Sequence, residues 1–344
     1  MLNASSMQIA PQIKPSTEQE LLLRQPDLAM QQSQPTSAKL RAVPSICPQA
    51  DKSKILFVTP EYAGLVKVGG LGDVAMALPS ALLQQHDVRV LIPGYSQVMN
   101  SGYPIKIVDK LDAYADLPPC HLGQMQIGEG PIIYVVICPE LYERKGTPYC
   151  NSEGKDWDDN ALRFARLSFA AAEIALGRVL LQWRPDVIHA NDWPTALTPA
   201  YMAWRGQDTP CVFTIHNLAH QGLCEPSLIN TLGLSPEAFH IDSMEFYGKL
   251  SFLKAGIVYA DHITTVSETY AREITTPLFG CGLEGLLKAK FEQGLLSGIL
   301  NGIDESWTPA SDPHLVESFG AREWDRKQAN TRYVEQVFNL SPNN

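Results

Sequence analysis

The chain has 344 residues, 45% of them hydrophobic, which suits one large or two modest domains with an ample core. Its formal net charge is -10. That balance disfavours nucleic acid and anionic membranes as partners, while a neutral ligand or a local basic pocket for phosphate is compatible with it.

Residues 1–52 are rich in Gln, Pro and Ser and lack apolar periodicity. Such a segment buries too little surface to offset its ordering entropy, so a disordered tail is expected. Glu18, Glu20 and Asp27 break the acid-poor pattern of a plastid transit peptide, and no signal-peptide pattern is visible. A cytoplasmic location is expected.

From Ile55 the pattern changes. Continuous apolar runs appear at ILFVT (55–59), VRVLIP (88–93), IIYVVI (132–137), DVIHA (186–190), CVFTI (211–215) and HITTVS (262–267). Runs without alternation are buried on both faces, as strands of a parallel sheet are. Helices are expected between most of them, over 71–85, 159–181, 196–205 and 248–260. The longest apolar stretch, 161–181, carries Arg163, Arg166, Glu173 and Arg178 and suits a soluble helix, not a membrane span. Seven cysteines without a C-x-x-C pair read as reduced core thiols, with neither a disulfide framework nor a metal site. Strand–helix alternation of this kind implies right-handed βαβ units in an α/β, doubly wound parallel sheet.

Ligands of such sheets bind beyond the carboxyl ends of the strands. After the first strand comes PEYAGLVKVGGLGDV (60–74), where Gly69 and Gly70 precede a helix and Lys67 adds a charge. Bare amides, a helix dipole and a lysine suit a diphosphate; a tight turn is the other reading. After the fourth strand, Asp192 and Trp193 suit a sugar, through hydroxyl acceptance and ring stacking, or Asp192 caps the next helix. After the fifth, His216 and Asn217 suit ligand contact or a structural role. His216 and His220 lack a matching acidic ligand, so zinc is rejected. A nicotinamide-dependent oxidoreductase is disfavoured, because the first turn is not G-x-G-x-x-G.

Taken in order, six segments resemble glycosyltransferase family 5, the ADP-glucose glycogen and starch synthases. They are KVGGLGDV (67–74), LYERKGTPY (141–149), WRPDVIHANDW (183–193), FTIHNLAHQG (213–222), SFLKAGIVYADHITTVSETYAREI (251–274) and GILNGID (298–304). Two small departures are Asn191 for a frequent His and Glu268 for a frequent Pro. The resemblance implies the N-terminal Rossmann-like domain of a GT-B glycosyltransferase over residues 53–318, and an interdomain linker helix over 319–344. The second Rossmann-like domain is expected to be absent. The implied reaction moves glucose from ADP-glucose to the non-reducing end of an α-1,4-glucan with retention, without a metal or other cofactor. Lys67, Gly69 and Gly70 are implied to meet the donor's diphosphate. Asp192 and His216 are implied to bind the transferred glucose, with Asn217 lining that pocket, and Tyr149 to seat the acceptor. The half present is expected to be inactive alone, with a separately encoded C-terminal half as a partner, or to serve as a non-catalytic glucan-binding or regulatory fragment.

Overall fold

The computed structural model describes residues 52–179, 181–303 and 307–341. The tail expected over 1–52 therefore lies outside the described residues, save for Lys52, as does Asp304.

In chain order, β1 (Lys54–Val58) leads through α1 (Gly70–Leu82) to β2 (Asp87–Pro93). After α2 (Ser96–Met99), β3 (Lys106–Leu111) and β4 (Cys120–Gln126) form a hairpin beside β5 (Ile132–Ile137). Then α3 (Pro139–Tyr142) and α4 (Asn160–Ala175) cross to β6 (Val187–Asn191), and α5 (Leu197–Trp204) leads to β7 (Cys211–Ile215). The short strands β8 (Leu223–Cys224), β9 (Glu245–Phe246) and β10 (Lys249–Ser251) pair with one another. They are followed by α6 (Phe252–Tyr259), β11 (His262–Thr265), α7 (Glu268–Glu273), α8 (Glu284–Glu292), β12 (Leu296–Gly298) and α9 (Trp324–Val337).

Among the described residues the main sheet holds nine strands in the order β12-β11-β7-β6-β1-β2-β5-β4-β3. Pairing is parallel from β12 through β5 and antiparallel at β5–β4 and β4–β3. The order runs one way from β1 to β2 and the other way from β6 to β12. Right-handed crossovers then place α1 and the pair α5 and α6 on opposite faces. The switch lies between β1 and β6, which is where a crevice opens at the carboxyl edge. Leu56, Phe57 and Val58 of β1 are fully buried, as expected of a central strand covered on both faces.

The structure departs from the sequence reading at definite places. The edge hairpin of β3 and β4 was not expected; its strands mix exposed and buried positions and carry no continuous apolar run. The helix expected over 248–260 starts only at Phe252, because Lys249–Ser251 pairs as a strand and Ser251 Oγ then caps the helix by accepting from the Lys254 amide at 3.1 Å. The helix expected over 159–181 stops at Ala175, where Gly177 turns the chain at φ +67°. Cys120, Cys138 and Cys211 are buried thiols, whereas Cys150 and Cys224 are only partly buried and Cys281 is exposed. All six are unpaired. Arg163 and Arg166 are both fully buried. They serve main-chain carbonyls of α3 and of loops, Arg163 bonding Leu141 O and Pro148 O at 2.8 Å each and Arg166 bonding Asp112 O at 3.2 Å. Among the described residues no helix is long and apolar enough to cross a membrane.

Candidate active site at the carboxyl ends of the parallel strands

Three strand ends meet at the switch. Asn191, the last residue of β6, ties them together. Its Nδ2 donates to Val58 O of β1 at 3.2 Å and to His189 O at 3.1 Å, leaving Oδ1 to accept from His216 Nε2 at 3.1 Å. That pattern fixes the His216 tautomer: Nε2 carries the proton and Nδ1 is the acceptor. Burial pushes the His216 pKa down to about 4, so the ring is neutral near pH 7 and acts as a hydrogen-bonding group. The Asn191 departure therefore falls on the residue that orients His216.

Asp192 follows in a conformation that few residues adopt, with φ 60° and ψ 175°. This region is populated almost only by glycine, and holding another residue there costs about 1–3 kcal/mol. The side chain makes no capping bond to the short helix at Trp193–Thr195, which removes the capping explanation. It is 9% exposed, and burial pushes its pKa up to about 7, opposed in part by the amides of Trp193, Asn217 and His216 and raised further by Glu61. Its Oδ1 has no hydrogen-bond partner among the described residues. A strained, buried carboxylate with an unsatisfied oxygen is costly unless something else completes it.

The other expected residues fall around this pair. Trp193 does not offer a free stacking face. Its ring packs 4.7 Å from Phe164 and 6.2 Å from Phe252, and a Cβ at Gly222 would lie 2.4 Å from it. Asn217 is exposed and its Oδ1 accepts from the Ala219 amide at 3.0 Å, holding the turn after β7. Tyr149 is half-buried, its ring 6.4 Å from Trp193 and its hydroxyl donating to Glu61 Oε1 at 2.6 Å. Lys67 is exposed and paired with Asp73 at 2.7 Å. Gly69 and Gly70 are exposed at the start of α1, and a Cβ on either would meet no atom within 4 Å. Gly69 has φ -138°, so neither packing nor conformation demands glycine there. What the missing side chains leave is bare backbone at a helix start.

Glu61 was missed by sequence reasoning. It is 3% exposed, and its Oε2 accepts from the amides of Val68 at 2.6 Å and Gly69 at 3.0 Å. The Gly69 amide is thus already occupied by the Glu61 carboxylate. The signal was present: Glu61 stands two residues beyond Thr59, where the strand-end rule directs attention. Two open surface hollows lie away from this edge. One of about 500 Å³ sits between Arg89, Lys106, Tyr134 and Trp183, and one of about 590 Å³ lies at the amino ends of β1, β6 and β7.

A family model described as the starch synthase catalytic domain matches residues 54–289. The chain belongs to the starch synthase family. Every expected site residue falls inside the matched span. The glycogen synthase of Pseudomonas savastanoi pv. phaseolicola is 60% identical over 292 residues, which cover 85% of this chain and 60% of that relative. That of Pseudomonas aeruginosa is 57% identical over 309 residues, covering 89% and 60%. The chain therefore spans about 60% of the length of these relatives. Among solved structures, the catalytic domain of Starch Synthase IV from Arabidopsis thaliana, bound to ADP and acarbose, matches with a TM-score of 0.70 at 29% identity, over 86% of this chain and 61% of that one. The mostly parallel α/β sheet is that of a GT-B starch synthase.

Proposed function

We propose that this chain forms the sugar-binding wall of a retaining glucosyltransferase. The enzyme transfers glucose from ADP-glucose to the 4-hydroxyl at the non-reducing end of an α-1,4-glucan, the glycogen or starch synthase reaction. The observation that carries this reading is the pair Asp192 and His216: an unsatisfied buried carboxylate oxygen beside a neutral imidazole with a defined acceptor nitrogen. Together they present two acceptors to sugar hydroxyls, and each hydroxyl can donate to one of them. Asn217 lines the same opening. Lys67 exchanges Asp73 for the donor's diphosphate, which approaches over the bare backbone of Gly69 and Gly70 and meets the first amides of α1. Tyr149 borders the acceptor side. ADP-glucose is a substrate in this scheme, and no metal or other cofactor takes part.

Transfer also requires cations facing the leaving diphosphate, and we place these on the remaining length of the relatives. Removing such preorganised electrostatic groups costs several kcal/mol of barrier, so residues 1–344 alone transfer glucose far below an enzyme's usual rate. The test incubates the purified chain with labelled ADP-glucose and glycogen, with and without a polypeptide carrying the rest of a relative's length. Label should enter the polymer only in the complemented sample. Transfer at roughly 1–1000 per second by the chain alone would overturn the half-site reading. Glucan binding with no response to ADP-glucose under any condition would favour a glucan-binding module.

A further inference from the structure

We propose that Glu61 is a positioning residue of the donor pocket, acting through hydrogen-bond acceptance and not through its charge. The proposal rests on the donor reading above for its consequence, but on its own geometry for its mechanism. Glu61 is locked at both ends. Its main chain is held by Thr59, whose Oγ1 donates to Glu61 O at 2.9 Å and accepts from the Glu61 amide at 3.3 Å. Its carboxylate spans the crevice. Oε2 takes the Val68 and Gly69 amides, and Oε1 takes the Tyr149 hydroxyl. Lys67 and Gly70 flank those two amides in sequence, so the carboxylate sets which way the lysine and the first amides of α1 face. The Lys67 stem leaves little slack, since a Cβ at Gly72 would lie 3.0 Å from its Cγ and 3.4 Å from Glu61 Oε2.

Tyr149 extends the same brace. The loop that carries it is pinned from below by Arg163, through Leu141 O and Pro148 O. Its ring packs beside Phe164 and Trp193. One carboxylate therefore joins the loop after β1 to the loop after α3, across the switch between β1 and β6. A buried acid next to an incoming diphosphate is an electrostatic disadvantage, so its retention there needs a geometric reason. Three hydrogen bonds, two of them 2.6 Å long, supply one.

The mechanism separates two substitutions. In Glu61→Gln, the amide oxygen can accept from both Val68 and Gly69 while the amide nitrogen donates to the Tyr149 oxygen, so the brace survives without the charge. In Glu61→Ala, all three bonds are lost. The experiment measures amide hydrogen exchange at Val68 and Gly69 by NMR, together with ADP-glucose affinity by titration, on the full chain. Glu61→Ala should speed exchange of both amides and weaken ADP-glucose binding by roughly tenfold each, the equivalent of one net hydrogen bond. Glu61→Gln should stay within about twofold of the unsubstituted chain in exchange, and should bind the anionic donor at least as tightly. Tyr149→Phe keeps the ring packing and should speed the same two amides by a smaller factor, which keeps the test decisive if the alanine variant folds poorly. Gln as impaired as Ala would overturn the proposal in favour of a role for the charge. Unchanged Val68 and Gly69 exchange in Glu61→Ala would overturn it outright. Failure of the unsubstituted chain to take up ADP-glucose counts against the donor reading instead, and the exchange result still decides whether Glu61 holds the turn.

Discussion

Replacing Asp192 by asparagine removes a buried charge while keeping the shape of the side chain. Burial pushes the folded carboxyl to about 7 from an ordinary 3.8. Between those values the folded chain keeps a proton that the unfolded chain has released. The folded state therefore gains from Asp192 below the unfolded value, and that gain is lost as pH rises towards 7. At 1.36 kcal/mol per unit, the interval from about pH 5.5 to about pH 7 removes about 2 kcal/mol of stability, after which the dependence flattens. Asparagine does not titrate. Urea unfolding of both proteins at about pH 5.5 and pH 8 should show this difference as an extra loss of about 2 kcal/mol in the unsubstituted chain. His189 and His216, whose burial pushes their pKa values down to about 3 and about 4, titrate in the opposite sense but are common to both proteins and cancel. The same substitution should weaken sugar binding, so asparagine trades function for stability above neutrality. An identical pH response in the two proteins would refute the claim that Asp192 is held buried with its pKa raised.

Other substitutions test separate parts of the account. Asp192→Gly should be about 1 kcal/mol more stable than Asp192→Asn in the same urea assay, because glycine adopts φ 60° and ψ 175° without strain; equal stabilities would deny the strain. Lys67→Ala should weaken ADP-glucose binding roughly tenfold to a hundredfold, the loss of a charge-assisted bond, while unfolding stability changes by less than about 1 kcal/mol because the pair with Asp73 is half exposed. Unchanged affinity would remove Lys67 from the pocket. Arg163→Leu should cost about 3 kcal/mol or more in unfolding free energy, since Leu141 O and Pro148 O are left buried without donors; a loss under 1 kcal/mol would show that water replaces the guanidinium.

The central strands were legible because their signal is composition alone. Unbroken runs such as IIYVVI and CVFTI need no partner to declare themselves, and the structure places both as strands with the expected ends. The hairpin of β3 and β4 was not legible, because KIVDKL owes its strand character to pairing with CHLGQMQ, and CHLGQMQ to pairing with β5, which local sequence does not encode. Strand ends drew attention to Asp192 and His216, but their local geometry was hidden. The tautomer of His216 depends on Asn191 reaching across to β1, a contact spanning 133 positions in sequence, and the strained backbone of Asp192 shows only in the folded chain. Glu61 shows the converse limit. Its position was marked by the strand end, yet its partners Val68, Gly69 and Tyr149 become neighbours only after two loops fold over the switch. The arginines of α4 show a third, since their charge told against a membrane span but did not reveal that Arg163 and Arg166 are buried against main-chain carbonyls.

The most direct test compares ADP and ADP-glucose on the same chain, because the account divides the site between a diphosphate end and a glucose end. Titration of each ligand should show ADP-glucose binding more tightly than ADP. His216→Ala and Asp192→Asn should abolish that advantage while leaving ADP affinity within about twofold, since the contacts they lose are to the sugar alone. Lys67→Ala should weaken both ligands by the same factor. If His216→Ala and Asp192→Asn instead weaken ADP and ADP-glucose equally, or weaken neither, the carboxyl ends of β6 and β7 do not hold the transferred glucose and the central claim fails.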